Sequence, residues 1–373
     1  MALISRIKPV DRRKATMNKI GWGQLALVLV VSRVFSEATT ISETNIQYGM
    51  QRYSVVILSF LLTAAAYIPL YILSKRSPEK GVIGAIGEKS PLAAKILGIL
   101  LIVFILGAMS ETFVGLHYYA ASTVLEAAPS SLLHLITFLV CLYALYKGLQ
   151  ATVRTGVLIS AGFLGLLLLV LTALAPEIRL RSLYPAFADR PNTFLTELFA
   201  EFSKNTEAII FAVLFGRVRS GAGKSVITYL IVSCAVLLTM TFLYNTVLGE
   251  YLTEVNFPFY TLASISDISV FQRLNGVDVI VWVMAAAVKL ALFGAAVWEI
   301  ITESFGGKWA GFITGACVLG AAALLSLLMA SELPLLRLML VVKNTGLPLI
   351  AAGTLIPLAA LIMGLSKGKR RAK

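Results

Sequence analysis

Glu201, Lys204 and Glu207 recur every third residue inside residues 196–215, a stretch long and apolar enough to cross a bilayer. Ser203, Asn205 and Thr206 lie among them. Ionisable groups at membrane depth are costly, and where they occur they face a partner, a cavity or a pathway. Two local structures suit the spacing. A continuous helix would stack the three charges along one face as self-neutralising pairs. Alternatively the helix unwinds over residues 203–206, and freed backbone carbonyls and amides coordinate a substrate or ion at the break. Asn205, a poor helix former that tolerates left-handed backbone, is then the break point.

Three other apolar runs carry an ionisable group: Arg33, Glu111 and Lys289. Lys289 sits roughly 16 Å of helical rise from Asp278 and a similar rise from Glu299, which places it near the midplane. An ammonium at that depth needs a carboxylate or sheds its proton, and Glu111 and Glu207 are the candidate partners. Arg33 lies roughly 21 Å beyond Lys19, so snorkelling to the headgroups explains it as well as a functional role does.

The elements that must position these residues follow from composition. Of 373 residues, 58% are hydrophobic and 14% charged, too little polar surface to cover a soluble globule, so the chain is a polytopic membrane protein in contact with a lipid bilayer. The net charge of +13 is spread over short basic clusters between apolar runs, the pattern of the positive-inside rule and not of a nucleic-acid-binding stripe. Cys141, Cys234 and Cys317 fall in separate runs, and only His117 and His134 accompany them. No disulfide framework, metal site, cofactor or nucleophile–base pair follows, and an enzyme is not expected. The basic N-terminus leads into an apolar run without a small-x-small cleavage site, so a retained first span is expected in place of a signal peptide.

Ten runs of about membrane-spanning length cover residues 20–35, 54–73, 92–118, 131–149, 153–175, 194–215, 225–248, 277–298, 309–330 and 346–365. Lys and Arg favour the loops that share a side with both termini, which puts both termini in the cytoplasm. The expected fold is all-α: a single integral membrane domain over residues 1–373, with five helices in 1–175, five in 194–365 and a basic tail at 366–373. Two inverted five-helix repeats would pair the first span with the sixth and the third with the eighth, the four spans that hold ionisable groups, with the first helix of each half interrupted. Residues 257–266 are too short and too broken by Pro258 to span; an interface belt is preferred there over a re-entrant segment. Residues 220–225 imitate a phosphate-binding loop, but Val218 stands where the pattern needs Gly, and no strand precedes it. Gly162 with Gly165 and Gly311 with Gly315 are spacings suited to close helix packing.

Several local patterns occur in one order along the chain. They are Lys147-Gly148-Leu149-Gln150 with Arg154, Leu183-Tyr184-Pro185, Phe202 to Glu207, Phe257-Pro258 with Phe271-Gln272-Arg273, and Trp282. With the length and the ten runs, they make the chain resemble the B subunit of spore germination receptors, the endospore germination permeases of the amino acid–polyamine–organocation superfamily. The resemblance implies a transporter-like fold used as a germinant sensor in the inner spore membrane beside A and C subunits. It implies an amino-acid-like ligand between the first, third, sixth and eighth helices, met by Glu111, Phe202, Asn205 and Glu207, to which the charge argument adds Lys289. Arg33, Ser203, Lys204 and Thr206 are further candidates. The chain departs from the family pattern at Asn205, where a small residue is usual, at Gly216, where Pro is common, and at Asn275, an acidic position. A proton-coupled amino-acid permease, with Lys289 or Glu207 carrying the proton, is the alternative.

Overall fold

The computed structural model describes residues 19–39, 50–123, 129–183, 191–266, 274–329 and 345–371. The described residues are helical and contain no strand; one isolated bridge pairs Ile20 with Val218. The chain runs through α1 (Trp22–Thr39), α2 (Met50–Ala66), α3 (Ile68–Arg76), α4 (Val82–Gly87), α5 (Pro91–Thr123), α6 (Ser130–Lys147) and α7 (Leu149–Ala173). It continues through α8 (Pro191–Ser203), α9 (Glu207–Leu214), α10 (Ala222–Leu243), α11 (Pro258–Ile265), α12 (Asn275–Phe305) and α13 (Lys308–Met329). Two short helices, α14 (Leu347–Ile350) and α15 (Ile356–Arg371), close it around a π-helical turn at Ala351–Leu355.

Six of these helical segments are long and apolar enough to cross a membrane, and the bent pair α2–α3 makes a seventh. They account for seven of the ten expected runs. The other three, the first, fourth and sixth, fall short for physical reasons. Gln24, Arg33 and Glu37 lower the apolarity of the 18-residue α1; the apolar part of α6 is short; and the sixth run is divided between α8 and α9. The fold is that of an all-helical polytopic membrane protein.

The layers are set by burial. In α12, 67% of the apolar window is buried against 33 to 44% in the other five long segments, so α12 is the central column. It packs on α1, α5, α6, α7 and α13, while α1 also packs on α7 and α10. Every residue of α9 is buried. Glycines allow the close approaches. A side chain on Gly156 would meet Val28 and Val288, and one on Gly311 would meet Trp298. Gly162 and Gly165 are different: among the described residues nothing lies within 4 Å of a side chain there, so no described helix packs closely on that pair.

Two other expectations change. The first span, expected to be interrupted like the sixth, is a continuous helix; α1 holds no proline and only Gly23 near its start, so nothing in its sequence breaks it. The segment preferred as an interface belt is the short helix α11, whose neighbouring Phe257 and own Phe259 are 6% and 1% exposed. Phe259 instead packs edge-on against Trp282 of α12 in the interior. An unforeseen bend of 41° separates α2 from α3 at Tyr67, just before Pro69, which cannot donate to the preceding turn. The Thr354 hydroxyl donates to Ala66 O there at 2.8 Å, so the bend is held by the π turn.

One end of the broken sixth span is fixed by backbone contact. Ile20 N–H donates to Arg217 O (3.0 Å) and Arg219 N–H to Ile20 O (2.9 Å). The Arg217 guanidinium makes two 2.8 Å bonds to the Glu299 carboxylate. The Glu303 carboxylate accepts from Gly84 N–H at 2.8 Å and Gly81 N–H at 3.3 Å. Gly216 lies so close to this loop that a Cβ would stand 2.5 Å from Gly81 N and 2.6 Å from Lys80 C, both backbone atoms that cannot swing aside. Gly216→Ala is therefore expected to lower the detergent melting midpoint by the equivalent of about 1–3 kcal/mol. Gly276→Ala, with open space around it, should leave the midpoint unchanged or raised. Equal midpoints for the two variants would contradict this packing.

Candidate functional site

Of the two structures posed by the sequence, the second, the broken helix, is the one present. The α8 helix stops at Ser203, residues 204–206 are non-helical, and α9 starts at Glu207. Asn205 makes the interruption. Its side-chain amide donates to Phe202 O (3.2 Å) and Glu201 O (3.4 Å), replacing bonds that continued helix would supply, and its own N–H donates to Phe202 O at 3.2 Å. Thr206 N–H turns back to Lys204 O at 2.9 Å. Asn205 and Glu207 are fully buried, and Glu201 is 1% exposed.

Two charge clusters meet at this break. In the first, the Glu201 carboxylate accepts from Arg33 Nη2, from Arg52 Nη2 at 2.8 Å and from Lys204 Nζ at 3.2 Å. The Glu37 carboxylate accepts from Arg52 at 2.6 Å, Lys204 at 2.8 Å and Arg33 at 3.4 Å. Three cations thus share two carboxylates. In the second, Lys289 Nζ donates to Glu207 Oε1 (3.2 Å), Ser32 O (3.2 Å) and the Ser36 hydroxyl, while Ser32 Oγ donates to Glu207 Oε1 at 2.8 Å. Asn205 Oδ1 joins the two clusters: it accepts from Arg33 Nε at 3.2 Å and from the Tyr229 hydroxyl at 3.0 Å, and that hydroxyl lies 3.5 Å from Glu207 Oε2.

The scaffold explains the convergence. Ser32, Arg33, Ser36 and Glu37 fall at i, i+1, i+4 and i+5 on α1, which places them on one side of that helix. The α9 helix and the midpoint of α12 supply Glu207 and Lys289, α10 supplies Tyr229, and α2 supplies Arg52. Desolvating so many charges is unfavourable unless each meets an opposite charge, as each does here. Side-chain exposure is graded, from 0% at Arg33, Glu201 and Glu207 to 13% at Glu37 and Lys204 and 17% at Arg52. The first cluster therefore lies nearer the surface than the second.

Of the residues the sequence singled out, Arg33, Lys204, Asn205, Glu207 and Lys289 share this network. Arg33 does not snorkel; its guanidinium is fully buried and also lies 5.9 Å from the Phe60 ring centre. Phe202 is buried beside the network with its ring against Gly346, the Ser203 hydroxyl donates to Ala200 O at 2.7 Å, and Thr206 is buried within the break. Glu111 is half-buried on α5. The sequence reading passed over Ser32, Ser36, Glu37, Arg52 and Tyr229 as site residues. Glu37 had a signal in its i, i+4 spacing from Arg33, but Glu37 and Arg52 lie just outside runs 20–35 and 54–73. Tyr229 carries no signal in an apolar run.

A family model described as spore germination protein matches residues 24–332. The chain belongs to this family. No curated protein matches it. The spore germination family match spans every member of the network, from Ser32 on α1 to Lys289 on α12, and the whole of the helix break. The chain is thus a membrane protein of a permease-like spore germination family.

Proposed function

We propose that this chain is the membrane subunit of a spore germinant receptor, and that it binds a small nutrient germinant, an amino acid or similar zwitterion, at the network around the sixth-span break. The observation that carries the reading is the buried Glu207–Lys289 pair beside Asn205, at an interruption of α8–α9, within the family-matched region. A zwitterion offers one carboxylate and one ammonium, the two groups this pair already holds together. The ligand would exchange partners with Glu207 and Lys289 and with the backbone groups of the break, and so shift the balance between two arrangements of α1, α9 and α12. Phe202, Ser203, Lys204, Thr206, Arg33 and Glu111 complete the proposed surround.

On this reading the chain has ten spans arranged as two inverted five-helix repeats, with both termini cytoplasmic, and works in the inner spore membrane beside A and C subunits. The Ile20–Val218 bridge and the Arg33–Asn205 bond, which tie the first span to the sixth, support that pairing. A second reading, a proton-coupled amino-acid permease, draws on the same Glu207–Lys289 pair as a proton carrier. Uptake by the purified chain in proteoliposomes separates the two. The sensor reading expects that a proton gradient drives no accumulation of labelled amino acids above the empty-liposome level. Gradient-dependent accumulation by the chain alone overturns that reading in favour of the permease.

A further inference from the structure

A second concave site lies at the end of the molecule where α1, α7 and the link into α10 meet. It is a cavity of about 330 Å³ lined by Lys19, Gln24, Gln150, Arg154, Arg219 and Ser220, with Trp22 at its side. Its lining has no carboxylate. Among the described residues, Lys19, Arg154 and Arg219 make no ion pair, so three cations face one hollow without a counter-charge. Gln24 Oε1 is occupied by Gly21 N–H at 2.9 Å, which leaves the Gln24 amide N–H₂ as a donor. The remaining polar lining, the Ser220 hydroxyl and the Gln150 amide, donates as well. A larger cavity of about 470 Å³ near α4 makes the contrast: its one cation, Lys80, is paired with Glu88, and Glu303 lines it as well, so it offers no unanswered positive charge.

Clustered, unanswered cations with neutral donors match an oxyanion that carries several acceptor oxygens, and basic pockets between transmembrane helices bind phosphate headgroups. The volume is at the lower end for a small-molecule site, enough for a phosphate with a small alcohol headgroup. We propose that this pocket binds a phosphate group, from an anionic phospholipid or from a soluble phosphate. Its place in the fold gives the binding a mechanical effect. Lys19 precedes α1, Arg154 is on α7, and Arg219 follows the sixth span, joined to Ile20 by the 2.9 Å backbone bond. A bound phosphate therefore ties the start of α1 to the end of the broken span, the two elements that carry Ser32, Arg33, Asn205 and Glu207.

The test uses the purified full chain in detergent, titrated separately with dioctanoyl phosphatidylglycerol, dioctanoyl phosphatidylcholine and inorganic phosphate. Saturable binding of the phosphatidylglycerol, stronger than of the phosphatidylcholine, identifies a lipid source. Saturable binding of inorganic phosphate alone identifies a soluble source. In either case Arg154→Gln/Arg219→Gln, at two exposed positions, should weaken binding about 30-fold, roughly fivefold for each lost charge. Lys89→Gln/Lys308→Gln, outside the pocket, should not weaken it. Equal binding of the two lipids with none of phosphate overturns the proposal. So does an affinity that survives Arg154→Gln/Arg219→Gln, or one that falls equally in the Lys89→Gln/Lys308→Gln control.

Discussion

Replacing Glu207 by Gln is expected to destabilise the chain by about 3–5 kcal/mol, because the Lys289 ammonium then stays buried without its carboxylate. Lys289 is 3% exposed, and Ser32 O and the Ser36 hydroxyl, to which it also donates, are neutral and do not replace a carboxylate. Lys289→Met should be damaging for the reciprocal reason: among the described residues it leaves the Glu207 carboxylate hydrogen-bonded to the Ser32 hydroxyl at 2.8 Å and the more distant Tyr229 hydroxyl. The double variant Glu207→Gln/Lys289→Met removes both charges at once. It should recover most of the melting midpoint, since neutral replacement of a whole buried pair is often close to neutral. Additive losses in the double variant would show that the two side chains are not paired, and the midpoint of the purified protein in detergent reads this directly.

Glu201→Gln is expected to have an effect of similar size, by a different route. Glu201 receives Arg33, Arg52 and Lys204, and its loss leaves these three cations around the single carboxylate of Glu37. Glu37→Gln removes a carboxylate from the same cluster but from a position with 13% side-chain exposure, where solvent screens what remains. The loss at Glu201 should therefore exceed the loss at Glu37, and Glu201→Gln/Lys204→Gln should regain part of it by removing one of the surplus cations. A Glu37→Gln variant as unstable as Glu201→Gln would mean that the cluster is organised around Glu37.

The polar residues that were legible in the sequence were those whose cost is highest. Asn205, Glu207 and Lys289 stand deep inside apolar runs, so their type alone marked them, and Glu207 was already one of two candidate partners for Lys289. The break at Asn205 was legible for the same reason: no other residue between Ser203 and Thr206 combines poor helix propensity with a side chain able to cap the preceding carbonyls. Glu37 and Arg52 were hidden because a hydropathy boundary stops where charge begins. The helices α1 and α2 extend beyond the runs that announced them, and they carry those two residues into the network. The count of ten failed the length and apolarity criterion on α1 and α8–α9 for a related reason, since these are the elements whose apolar surface is given up to the charges. Nothing local distinguished Tyr229 from the apolar residues around it, because its role depends on the distance between α10 and the break.

The central claim is that the network at the sixth-span break is where the germinant acts, and the double variant tests it without the confounding loss of fold. Spores carrying Glu207→Gln/Lys289→Met, Glu197→Gln or the unaltered chain are exposed to an equimolar mixture of the common amino acids, and the half-maximal concentration for germination is measured. Glu197 is the comparison because it lies on α8, before the break, and takes no part in the Asn205–Glu207–Lys289 contacts. The double variant should need about 10- to 100-fold more amino acid, the loss expected when charged hydrogen bonds to a ligand are removed. Glu197→Gln should stay close to the unaltered chain. A double variant that folds and germinates at the unaltered concentration would contradict the account.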